Sequence, residues 1–82
     1  MNINERFVRT LSEDIRAGLL SVKVVLEVLT EQYTISELEH ILGLLDDLGY
    51  KDIIDLLIME KCKKNEERQK IIEHLEHCLT LN

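Results

Sequence analysis

Apolar residues fall at helical intervals along most of this chain. Phe7, Val8, Leu11, Ile15 and Leu19 share one face at steps of three and four, which predicts a first helix. Asn4 or Asn2 is placed to cap it. Thr10-Leu11-Ser12-Glu13 has the pattern of a capping box, so the helix can restart there. Gly18 either ends the helix or sits inside it at a cost of about 1 kcal/mol. Residues 21–30 carry two patterns at once. Val22, Val24, Leu26 and Val28 alternate as a strand would, whereas Val22, Val25, Leu26 and Leu29 fit a helix. No second strand pattern is available to pair with, so the segment is read as helix, with a strand paired across a dimer as the alternative.

The pattern is densest from Glu37 to Met59. Leu38, Ile41, Leu42, Leu45 and Leu48 precede Gly49, and Ile53, Ile54, Leu56, Leu57, Ile58 and Met59 follow it. Ser36-Glu37-Leu38-Glu39 reads as a capping box, and Gly49 supplies the left-handed residue that ends helices. Two helices folded back at Gly49 therefore form a central hairpin. The second of them is expected to run to about Lys63. Asn65, followed by Glu66 and Glu67, would cap a last helix whose buried face is Ile71, Ile72, Leu75, Cys78 and Leu79. The expected fold is a small all-α bundle of four to five helices in a single domain, residues 1–82.

Composition sharpens this picture. Twenty-nine of the 82 residues are Leu, Ile or Val, against three aromatics and no proline, which suits packed helices with an aliphatic core. Domains of this size are marginal, and association often supplies what the core lacks. We therefore expect a homodimer, or a protein partner covering an apolar face, with Val24, Val28 and Leu44 as the association residues. Two cysteines are too few for a disulfide framework and point to a reducing cytoplasm. No signal peptide and no membrane-length apolar run is seen in the sequence.

Charge is segregated. Residues 27–60 hold nine acids against Lys51, a net −8 in a chain of net −6. Asp46, Asp47, Asp52 and Asp55 would form an acidic face able to meet a basic protein partner or to mimic nucleic acid. Lys61, Lys63, Lys64, Arg68 and Lys70 form the one plausible patch for DNA contact. A helix-turn-helix reading of the hairpin fails chemically, because Asp52 to Ile58 offers carboxylates and aliphatics where base edges require Arg, Lys, Asn or Gln.

Catalytic and metal chemistry find little purchase. His74 and Cys78 lie one turn apart and Cys62 is a conceivable third ligand, but Cys78 falls on the apolar stripe and no Cys-x-x-Cys pair occurs. His40 has no nucleophile beside it, and no phosphate loop or hydrolase motif is present. The expectation is a non-enzymatic binding protein with no cofactor and no bound metal.

Leu45-Asp46-Asp47-Leu48-Gly49-Tyr50, a following helix, Glu67-Arg68-Gln69 and Cys78-Leu79 together give roughly residues 38–79 a resemblance. This half of the chain resembles the PerC-type family of bacterial transcriptional activators. The resemblance implies a helical hairpin turning at Gly49 and a regulatory role in transcription. Where that family carries Arg-Arg-Ala-Ala and a Trp, this chain has Lys51-Asp52-Ile53-Ile54 and no Trp.

Overall fold

Four helices, α1 (Glu5–Arg16), α2 (Val22–Gln32), α3 (Ile35–Asp47) and α4 (Lys51–Thr80), make up the computed structural model, which describes residues 3–80. No strand occurs among the described residues, and residues 22–32 are helical. The fold is all-α.

Local chemistry sets the boundaries. Asn4 caps α1, its Oδ1 accepting from the Phe7 amide at 2.9 Å; Asn2 lies outside the described residues. The helix does not restart at Thr10. Ser12 is buried instead, and its hydroxyl donates to the Val8 carbonyl at 2.7 Å, so it is satisfied inside a continuous helix. Gly18 ends α1 with φ +76°. The Leu19 amide reaches back to the Asp14 carbonyl and the Gly18 amide to that of Ile15, a Schellman closure. Leu19 is thereby carried off the apolar face and left exposed.

The capping box of α3 is shifted two residues from the expected one. Thr34 Oγ1 accepts from the Glu37 amide, and Glu37 Oε1 accepts from the Thr34 amide at 2.9 Å. Ser36 and Glu39 have no part in it. Thr34 wins because α2 already ends at Tyr33 in an extended backbone, so the first residue able to cap is the next one.

Gly49 turns the chain from α3 into α4 with φ +83°. The Tyr50 amide donates to the Leu45 carbonyl at 2.8 Å and the Gly49 amide to Asp46, a second Schellman closure. Leu45 and Tyr50 are both buried, giving the apolar contact that accompanies this motif.

The first half of α4 packs on α2 and α3, while α1 packs on α3. The core is Val8, Ile15, Val25, Leu29, Ile41, Leu45, Tyr50, Ile53 and Leu57, with Phe7, Leu11, Leu38, Leu44 and Ile54 half-buried around it. Every one of these residues lies before position 58.

The expected fourth and fifth helices are one. α4 runs unbroken for 30 residues, through Asn65, and from Lys61 to Thr80 every residue is exposed. Nothing between Lys61 and Lys70 can stop a helix, since the segment has neither Gly nor Pro. The face expected to be buried (Ile71, Ile72, Leu75, Cys78, Leu79) therefore projects away from the bundle. The molecule measures 54 × 25 × 18 Å, a compact head with one helical arm.

Candidate functional site

A belt of polar contacts ties α1 to the start of α4. Arg16 makes a two-pronged ion pair with Asp52, Nε to Oδ2 at 2.8 Å and an η nitrogen to Oδ1 at 2.7 Å. Its guanidinium lies 4.5 Å above the Tyr50 ring, a cation–π geometry. The Tyr50 hydroxyl donates to Glu13 Oε1 at 2.9 Å. Hydrogen bonding to Arg16 holds the Asp52 carboxyl below its ordinary range and raises the Arg16 guanidinium. The bond to Glu13 pushes the Tyr50 phenol up. These four groups pair with one another where α1 meets the start of α4.

The acidic residues consequently divide. Asp52 is engaged by Arg16, while Asp46, Asp47 and Asp55 are exposed. The expected quartet is not one uniform docking surface: it wraps around the Gly49 turn, and one member is already paired.

The basic residues Lys61, Lys63, Lys64, Arg68 and Lys70 all stand on the exposed arm. At 100° per residue, Lys61, Lys64 and Arg68 share one side while Lys63 and Lys70 point to the other. They do not form a single stripe along a groove.

Cys62 and Cys78 are both free and exposed. The Cys78 thiol lies 3.7 Å from His74 Nε2 on the next turn. Among the described residues, no group of three or more His, Cys, Asp or Glu side chains converges as a metal site would require.

What the tertiary structure assembles instead is apolar. One groove of about 210 Å³ runs between α1 and α2, bordered by Phe7, Leu11, Leu20, Val24, Val28 and Tyr33. Val24 and Val28 are half exposed, one turn apart on its rim. The Phe7 and Tyr33 rings meet at 6.3 Å and 48°, forming part of its wall. A second groove, about 220 Å³, lies where α2, α3 and α4 meet, bordered by Leu26, Thr30, Leu38, Leu42, Ile58 and Lys61. Leu44 lines neither groove. It packs half-buried against the core.

Beyond the grooves, the arm exposes Ile71, Leu75 and Leu79 by more than half, and Ile72 by about a third. Their helical spacing places these residues in the core, whereas the structure leaves them exposed, along with Leu20, Leu42 and Ile58. Their periodicity marks a buried face without saying what buries it.

No helix is long and apolar enough to cross a membrane among the described residues. Comparison with protein-family profiles, curated sequences and solved structures gives no match.

Proposed function

We propose that this chain is a small, non-enzymatic regulatory or adaptor protein that works by binding another protein. The observation that carries the reading is the groove between α1 and α2. It is apolar along its length, open to solvent, and walled by two helices and a pair of aromatic rings. Such a groove suits an amphipathic helix that inserts residues at i, i+3 or i+4 and i+7. Val24 and Val28 are the contact residues on its rim. Contiguous exposed apolar surface of this kind marks interaction sites in soluble proteins. The two free thiols suit a reducing cytoplasmic setting. The resemblance of residues 38–79 to PerC-type activators supports the helical hairpin more than it supports a role in transcription.

A photo-crosslinking side chain placed at Val28 tests the proposal in the native host. A discrete protein adduct at position 28, lost when Val24 is changed to Glu and not formed from Lys51, which borders neither groove, supports it. Identical adduct patterns from positions 28 and 51 would reject the groove as the binding site.

A further inference from the structure

The arm of α4 poses a physical problem. Thirty residues at about 1.5 Å each make a helix of about 45 Å. Its outer 20 residues, from Lys61 to Thr80, are all exposed, and of them Lys61 borders the groove between α2, α3 and α4. Helices in proteins owe most of their stability to packing of an apolar face rather than to propensity. This one carries such a face: Ile72, Leu75 and Leu79 are exposed along it.

Followed inward, that face is one uninterrupted row. Ile58, Lys61, Asn65, Arg68, Ile72, Leu75 and Leu79 succeed one another at alternating steps of three and four, the seam of a left-handed coiled coil. All seven are exposed. The row is apolar at both ends and polar in the middle.

We infer that the occupant of this seam is a second copy of the chain, paired antiparallel about a two-fold axis between Glu66 and Glu67. Reversal about that point maps the first six residues of the row onto one another. Ile58 of one copy meets Leu75 of the other, Lys61 meets Ile72, and Asn65 meets Arg68. Leu79 reaches the half-buried Ile54. The Lys61 stem lies along Ile72 with its ammonium in water, and Asn65 opposite Arg68 is a polar layer of the kind that fixes register. A parallel pair would instead stack Lys61 on Lys61 and Arg68 on Arg68.

The head supports the same arrangement independently. Ile58 and Lys61, the inner end of the row, are also walls of the groove between α2, α3 and α4. The antiparallel register lays the outer end of each arm, Ile72 to Leu79, beside that groove in the other copy, where Leu26, Leu38 and Leu42 line the floor and sides. Each copy thus gives an arm and receives one, an isologous interface. This surface is separate from the α1–α2 groove, so the dimer and the adaptor reading stand or fall separately.

Sedimentation of the full chain is the first test, with a dimer expected. Leu75→Glu should convert it to a monomer while the near-ultraviolet tyrosine signal of the head is kept. Disulfide trapping then tests the register, in a chain whose Cys62 and Cys78 are changed to Ser. Ile58→Cys combined with Leu75→Cys should give a covalent dimer on mild oxidation. Ile72→Cys alone should not, because antiparallel pairing holds the two copies of that residue about 16 Å apart along the axis. A monomeric wild type, a dimer that survives Leu75→Glu, or ready crosslinking through Ile72→Cys alone would each overturn the inference.

Discussion

Arg16 and Asp52 are 36 positions apart, yet their side chains meet in a two-pronged ion pair that fastens the end of α1 to the first turn of α4. Asp52 also sits where a helix favours negative charge, and Arg16 covers the ring of Tyr50. The contact ties the first helix to the hairpin at the surface, beside the core packing of Val8 and Ile15.

Because Asp52 is held below its ordinary range in the folded protein, it contributes stability that is present above the unfolded value and lost as pH falls through the folded one. Glu37, lowered chiefly by the backbone amide of Thr34, acts in the same sense. Arg16→Ala should lower the denaturation midpoint at pH 7 and shrink the loss on going below about pH 4. Urea titrations at pH 7 and pH 3 check this. An unchanged acid loss in Arg16→Ala would show that other carboxylates dominate.

Tyr50 gives the opposite limb. Its phenol is raised by the bond to Glu13, so its contribution is present below the ordinary tyrosine value near 10 and disappears as pH climbs through the folded one. Tyr50→Phe should cost stability at neutral pH and flatten the alkaline decline. Thermal melts between pH 7 and 11 read both effects.

Thr34→Ala removes the acceptor of the α3 capping box and should cost about 1 kcal/mol. Ser36→Ala, at the box expected from sequence, should change stability by less than about 0.5 kcal/mol. Reversal of that order in chemical denaturation would place the cap at Ser36.

Gly49→Ala isolates backbone strain. A methyl group there meets nothing within 4 Å, but the φ of +83° is unfavourable for any residue with a Cβ. The expected cost is about 1–2 kcal/mol. A neutral substitution would mean the turn relaxes to another conformation.

Core and arm should respond differently to truncation. Leu45→Ala, at a fully buried site, should cost roughly 2–5 kcal/mol. Leu75→Ala should leave unfolding of a dissociated, dilute sample within about 0.5 kcal/mol, with its effect seen in association. A large loss at high dilution would mean that the arm folds back on its own head.

Only part of the local chemistry written in adjacent residues was legible from the sequence alone. Helical periodicity and the Gly49 reversal appear in the structure, and Asn4, one of two candidate caps, caps α1; the capping boxes at Thr10 and Ser36 and the cap at Asn65 do not form, because the helices run through or start elsewhere. For residues 21–30 the sequence favours a helix, with a strand paired across a dimer as the alternative, and the structure makes residues 22–30 helical. Contacts between distant residues were not legible. Arg16 and Asp52 look like two unremarkable charges until the fold sets them 2.7 Å apart, and Val24 and Val28 become a groove rim only when α1 lies beside α2. The last turns of the chain show the limit most clearly. Ile72, Leu75 and Leu79 have the spacing of a buried face, and spacing is a property of one helix. Burial is a relation between two. The tertiary structure decided that these residues leave the core, because α4 has no residue that stops it and so carries them beyond the reach of the other three helices.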